Sequence, residues 1–401
     1  MKIASKHPAR LKFRIQKLMI RIYLRYFSFT FYLVARLILL FSHPRKPRPR
    51  SLLVLKPDAT GDYVLMRNFL YYLRKSERFK GYHVTWCGNL VQKSIIDHFD
   101  QSQFDDFIWI DKNRIYRDVV YYASLAVALH HRHEVVIHPV YSREFIFDFY
   151  AKIAATKERI TFRGDAVNIN PAFRKISDSW YTELIETDID QNFEFYRYKT
   201  FFQKLLHSEI DLSRPYFNRN DLTGIDIPTL PAAYAVVFPG AQMEYRQWSP
   251  RNFSVICDFI SDHFPLDIVL IGSKGDIRVA REIINHSHHS LIDLTGKTSM
   301  AQVVAVMAGA KFVLTNDTAA AHLAPALDTP CIALSQLNHY GRFLPYPAEI
   351  TTKHHCVIPG EFTGFLPEDL EETFRNGSLV DINLITTDQV IDALNMPDFN
   401  C

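Results

Sequence analysis

The chain has 401 residues, 48% of them hydrophobic and 22% charged. These are globular proportions, long enough for two packed domains, and they exclude a disordered, collagenous or coiled-coil protein. The net charge of +3 conceals an asymmetry, because residues 1–50 hold thirteen of the 46 Lys and Arg and no acid, which leaves the rest of the chain net acidic.

The chain opens on that basic arm. Arg10, Lys12, Arg14, Lys17, Arg21 and Arg25 are interleaved with Leu11, Phe13, Ile15, Leu18, Ile20, Ile22 and Leu24, a pattern suited to an amphipathic helix lying at a membrane surface. The run 27–42 is almost wholly apolar but carries Arg36 and falls short of the roughly 20 clean residues a spanning helix needs, so interfacial or shallow insertion is expected. Residues 43–50, with two Lys/Arg-Pro pairs, break the helix and add charge suited to anionic lipid head groups. Phe41-Ser42-His43-Pro44 is a poor cleavage site for a secretory signal. A nucleic-acid arm would not carry so many apolar residues; a helix packed on the body is the other reading.

From Ser51 onward, short β-branched or aromatic runs alternate with helical text. Strands are predicted at 51–55, 82–86, 106–110 and 134–138, and helices at 62–75, 117–130 and 142–155. The alternation fades over about 163–232, where Tyr181–Ile185 and Phe193–Leu206 read as helical and Pro215, Gly224, Pro228 and Pro231 mark a connection. A second series follows, with strands at 235–238, 267–271, 291–294, 311–315 and 331–334. Such alternation implies parallel sheets covered by helices, so the fold class is α/β with two Rossmann-like halves. The divisions expected are an arm at 1–50, a first domain at 51–210, a linker at 211–232 and a second domain at 233–401.

Ligands of open parallel sheets sit beyond the carboxyl ends of the strands, which makes four loops candidates. In Lys56-Pro57-Asp58-Ala59-Thr60-Gly61-Asp62, Gly61 allows a tight turn, and Asp62 is either a helix cap or a general base facing a cleft. In the loop after Phe238, Gly240 permits close approach to a ligand, and Arg246 offers a fork for phosphate oxygens, beside Trp248. Gly272 opens a short glycine-flanked turn ending at Asp276, a weak nucleotide-site signal. In Thr315-Asn316-Asp317-Thr318-Ala319-Ala320-Ala321-His322, Asn316 and Asp317 form a turn, Thr318 can cap, and the small residues let backbone N–H groups meet a diphosphate. His322 shares the face of Thr318, and on spacing alone it is an inward-packed histidine. Neither G-x-G-x-x-G after a strand nor G-x-x-x-x-G-K-[ST] occurs. Asp188-Ile189-Asp190 has an Asp-x-Asp form but lies in an acidic connection and reads as a solvated cluster. The five cysteines, Cys87, Cys257, Cys331, Cys356 and Cys401, are scattered without a C-x-x-C pair, which argues for a reducing compartment and against a disulfide or zinc scaffold.

Taken together, four ordered motifs resemble glycosyltransferase family nine, the ADP-heptose:lipopolysaccharide heptosyltransferases. They are Leu52–Leu65 with its Gly61-Asp62 turn, Phe238-Pro239-Gly240-Ala241 with Arg246-Gln247-Trp248, Leu294–Ser299, and Asn316–Ala324. The resemblance implies a GT-B fold and an inverting transfer that needs neither a metal nor another cofactor. Under it, Asp62 is the base on the acceptor hydroxyl and Arg246 faces the donor phosphates. Gly240, Ala241, Gly272, Asn316, Asp317, Thr318, Ala319 and His322 line the donor. The partners implied are a nucleotide-diphosphate sugar, ADP-heptose being one candidate, and a glycolipid acceptor; the arm adds an anionic membrane surface at the cytoplasmic face, and no nucleic acid is expected. Phe238 stands where the family usually has His, Ala319-Ala320 replaces a usual Gly-Pro pair, and Pro325 should kink or shorten its helix. A UDP- or GDP-linked donor, or a non-catalytic nucleotide-binding homologue, are the alternative readings.

Overall fold

The computed structural model describes residues 28–43, 46–187 and 192–399. The basic stretch 10–25 and the Asp188-Ile189-Asp190 triplet fall outside the described residues.

The apolar runs of the first half form six strands: β1 (Ser51–Lys56), β2 (His83–Asn89), β3 (Asp106–Ile110), β4 (His133–His138), β5 (Ala155–Phe162) and β6 (Glu183–Ile185). They pair in the order β3-β2-β1-β4-β5-β6, every pairing parallel. The second half repeats the scheme with β7 (Tyr234–Phe238), β8 (Asp267–Leu270), β9 (Ile292–Asp293), β10 (Val313–Asn316), β11 (Cys331–Leu334) and β12 (His354–Val357), ordered β12-β11-β10-β7-β8-β9. Strands β1 and β7 are buried along nearly their whole length, as parallel strands covered on both faces must be. In each sheet the order reverses beside the first strand, between β1 and β4 and between β7 and β10, so each half has one crevice where adjacent loops part. One apolar cluster runs through both halves, containing Tyr63 and Leu70 of the first and Ala320 and Leu323 of the second.

Three sequence expectations are corrected. The helix expected over 62–75 is two helices, Thr60–Met66 and Phe69–Lys75, separated by a turn at Arg67-Asn68; Arg67 turns its guanidinium onto Asp100 at 2.8 Å, and Asn68 Oδ1 accepts from the Tyr216 amide at 2.9 Å. Tyr181–Ile185, read as helical, ends in β6, because residues 183–185 find parallel partners on Ile160–Phe162 of β5 and Thr182 donates its amide to the Arg159 carbonyl at 2.9 Å. Strands β5 and β12 fall where no strand was expected. Pro325 acts as anticipated: its helix, Ala320–Ala326, ends one residue later.

Part of the arm is visible as a helix over 28–40. Its inner face, Phe31, Tyr32 and Ala35, is buried with Phe145, Phe149 and Trp180 of the first half. Its outer face leaves Phe29, Leu33, Leu37, Ile38 and Leu40 exposed, and Phe41 just after it is exposed as well. Among the described residues, no helix is long and apolar enough to cross a membrane.

Candidate active site

The crevice of the first sheet is built by the loop after β1. Lys56, the last residue of β1, is wholly buried, and a buried ammonium must find partners. Its Nζ donates to Asp58 Oδ2 at 2.5 Å, to the Tyr198 hydroxyl at 2.6 Å and to the Pro139 carbonyl beyond β4 at 3.3 Å. The chain then turns into the helix Thr60–Met66, whose N-cap is Ala59, with no side-chain cap. Asp62 therefore does not cap; it lies in the first turn, and its carboxylate has no hydrogen-bond partner among the described residues. Asp58 and Asp62 line one cavity of about 140 Å³ with Ser142, Asn168, His339 and Arg342. Burial, and then the neighbouring Asp58 charge, raise the Asp62 carboxyl to about 6, against the opposing pull of Lys56. Burial alone would raise Asp58 as well, but Lys56 and Lys112 outweigh it and hold that carboxyl below its usual value.

Arg342 carries the second half into this cavity. Its guanidinium grips both oxygens of buried Glu194 at 2.7 and 3.0 Å and donates to Ser142 Oγ at 2.5 Å, while the Glu194 amide donates to the Arg342 carbonyl at 2.8 Å. Burial opposes the charge of Glu194, but Arg342 and then Arg197 prevail and lower it.

The crevice of the second sheet gathers most of the predicted donor residues. Asn316, at the end of β10, donates its amide to the Pro239 carbonyl at 2.7 Å and accepts from the Trp248 amide at 3.2 Å. It thus ties the loops after β7 and β10 together. Arg246 donates from one terminal nitrogen to the Asp317 carboxylate at 2.8 Å and to its carbonyl at 3.0 Å, leaving its buried Nε without a partner among the described residues. Thr318 Oγ1 accepts from the Ala320 amide at 3.3 Å, and the Ala241 carbonyl accepts from Gln247 at 3.1 Å. Gly240 and Gly272 both make room for Asp276: a Cβ at Gly240 would lie 2.3 Å from its carboxylate, and one at Gly272 would lie 3.0 Å from its Cβ. That carboxylate closes a capping box with Ser273.

The two crevices meet at Gly61 and His322. A Cβ on Gly61 would stand 2.7 Å from His322 Cδ2, so only glycine lets the helix starts approach this closely. His322 Nδ1 lies 3.0 Å from the Tyr346 hydroxyl, and burial lowers the ring to about 4, which keeps it neutral. Asp317, Arg246 and Glu194 all act on this ring electrostatically. A second, open groove of about 490 Å³ lies between Leu90–His98 and the helix start at Ser299 and Ala301.

Of the predicted residues, Asp62 stands in the first crevice, Arg246, Asn316, Asp317 and Thr318 around the second, and His322 between them. Ala319 lies over Gly61, its Cα 3.7 Å from where a Cβ would be. Sequence reasoning passed over Lys56 and Asp58, although both stood in the loop it singled out. It also missed Glu194 and Arg342, whose partnership spans 148 positions and leaves no local pattern.

The model of glycosyltransferase family 9 (heptosyltransferase) matches residues 153–355. A lipooligosaccharide heptosyltransferase 2 of Haemophilus ducreyi is 28% identical over 167 residues, 39% of this chain and 45% of that protein. The lipopolysaccharide heptosyltransferase 2 of Escherichia coli is 28% identical over 171 residues, 39% of this chain and 44% of that protein. The chain thus spans about half the length of the curated relatives it matches. Solved structures share the fold over most of the chain. E. coli heptosyltransferase WaaC with ADP-2-deoxy-2-fluoro heptose superimposes with a TM-score of 0.62 at 16% identity, covering 86% of this chain and 98% of that one. A family 9 glycosyl transferase from Veillonella parvula gives 0.61 at 15% identity, covering 88% and 97%. The architecture is that of these GT-B structures.

Proposed function

Since the chain belongs to glycosyltransferase family 9, the heptosyltransferase family, we propose that it transfers a sugar from a nucleotide-diphosphate donor onto a glycolipid acceptor. The relatives' names and the ligand of one structural neighbour favour ADP-heptose and a lipopolysaccharide-core acceptor. The observation that carries the reading is Asp62, a carboxylate without a hydrogen-bond partner among the described residues, raised to about 6 by burial and by Asp58, at the crevice of the first sheet.

In this reading Asp62 accepts the proton of the acceptor hydroxyl as that oxygen attacks the anomeric carbon from the side opposite the diphosphate. The bond from that carbon to the diphosphate oxygen breaks, its electron pair leaves with the nucleoside diphosphate, and the configuration inverts. Arg246, whose side chain is partly exposed beside Asp317, meets the charge growing on the leaving phosphates. In this reading the guanidinium takes the place of a divalent ion, and the proposed transfer is metal-independent. Asp317 aims Arg246, and the turn Asn316–Ala319 and the loop Gly240–Ala241 border the donor. The basic, apolar arm within 1–50 holds the enzyme at the anionic cytoplasmic leaflet and raises the effective concentration of acceptor.

Replacing Asp62 by Asn should lower kcat/KM by about 10²–10⁴-fold with ADP binding retained. A base works only when deprotonated, so wild-type kcat/KM should climb as pH rises through about 6 and be lost below it. Full activity in the variant overturns the base assignment.

A further inference from the structure

The loop after β1 holds two carboxylates in one cavity, Asp58 and Asp62, but only one of them is anchored. All three N–H bonds of the buried Lys56 ammonium are directed elsewhere than Asp62: to Asp58, Tyr198 and the Pro139 carbonyl. The Asp58 backbone is pinned as well, its carbonyl accepting from Asn89 Nδ2 at 3.2 Å and Gln92 Nε2 at 2.9 Å. A fixed, ionised carboxylate therefore faces an unpaired one across a confined space, where charges interact more strongly than in water.

We propose that Asp58, locked on Lys56, is a positioning residue for the transfer: its fixed negative charge keeps Asp62 avid for a proton and so a better base toward the acceptor hydroxyl. The inference rests on the reading of Asp62 as the base. Among the charges around Asp62, Asp58 acts most strongly, Lys56 and Arg342 oppose it, and Glu194 adds to it. Lys112 acts on both carboxylates, and His138 acts on Asp58. Tyr198, whose hydroxyl is held by Lys56, is kept protonated by burial. His339 on the cavity wall is made harder to protonate, chiefly by burial, and neutral His322 stands beyond Gly61. Two unlike carboxylate environments in one site are what acid–base assignment requires.

The test is the acid limb of kcat/KM against pH, read from ADP release with ADP-heptose and a lipopolysaccharide-core acceptor, in the full chain. Asp58→Asn removes the fixed charge and should shift the limb down by roughly one unit, with a several-fold lower plateau as the base weakens. Lys56→Gln removes the direct pull of Lys56 on Asp62 while Lys112 still faces Asp58, and should shift the limb up. Should one single variant fail to fold, the Lys56→Gln/Asp58→Asn pair stands in for it: its limb should lie above that of Asp58→Asn, or below that of Lys56→Gln, whichever folds, and the reverse order overturns the inference. ADP binding, measured by titration, should stay within about twofold throughout. Opposite shifts in the two single variants support the inference, because a merely structural role would lower activity without moving the limb in opposite directions. A limb that stays put in Asp58→Asn, or moves the same way in both, overturns it. An Asp62→Asn enzyme with full activity overturns the base reading, and this inference falls with it.

Discussion

Gly61 shows how one residue joins the two halves. An alanine there would set its Cβ 2.7 Å from His322 Cδ2, a distance no real contact sustains, and the ring is buried and held by Tyr346. Gly61→Ala should cost about 1–3 kcal/mol by overpacking and lower kcat, because the displaced helix start carries Asp62. In thermal unfolding, Gly61→Ala/His322→Ala should lose less than the two single variants added together, since the second change removes the clash; strict additivity would show that the contact does not matter. The glycine was legible in the sequence as a turn former, yet its strict requirement was not, because the atom that demands it belongs to a residue 261 positions later. His322 was read from its spacing as a packed histidine and from the family resemblance as a site residue, and the structure gives it a buried neutral ring within the electrostatic reach of Arg246 and Asp317.

At the scale of elements, the loop 337–346 acts as a latch between the halves. Its left-handed residues Leu337, His339 and Gly341 bend the chain so that Arg342 reaches Glu194 at the start of the helix Glu194–Leu206. Removing one partner of a buried pair leaves the other charge stranded, so Arg342→Met should destabilise the protein by about 3–5 kcal/mol. The pair Arg342→Met/Glu194→Gln should recover much of that loss. Urea unfolding followed by tryptophan fluorescence measures both, and a small loss in the single variant would show that the ion pair does not hold the halves. Strands β1, β2 and β4 and the loop after β1 were readable because buried parallel strands are continuous apolar runs of local text; the half-exposed edge strand β3 was readable from its aromatic and β-branched run. Strand β6 was not: its Glu183–Ile185 is a short edge segment whose conformation is decided by the β5 partner rather than by its own pattern. The Arg342–Glu194 pair was invisible for the same reason, its meaning lying wholly in long-range pairing.

At the scale of the whole molecule, the helix over 28–40 belongs to the body by one face and is open on the other. Cutting the chain at residue 50, where composition alone puts the end of the arm, would strip Phe31, Tyr32 and Ala35 out of a buried aromatic cluster. It would therefore test folding rather than membrane attachment. Removing residues 1–27 is the sound cut, because it takes away eight basic residues and leaves the packed helix in place. At about 1 kcal/mol for each basic residue near an anionic surface, that charge should dominate the proposed attachment, with the exposed Leu37, Leu40 and Phe41 adding apolar contact. The full chain should bind vesicles containing phosphatidylglycerol in sedimentation, more weakly as salt is raised, and should not bind purely zwitterionic ones. The variant lacking 1–27 should lose at least tenfold in vesicle affinity yet keep its rate on a water-soluble acceptor fragment, since no described residue of the arm lines the cavity. Equal vesicle binding by both forms would move the membrane contact off the arm and onto the body.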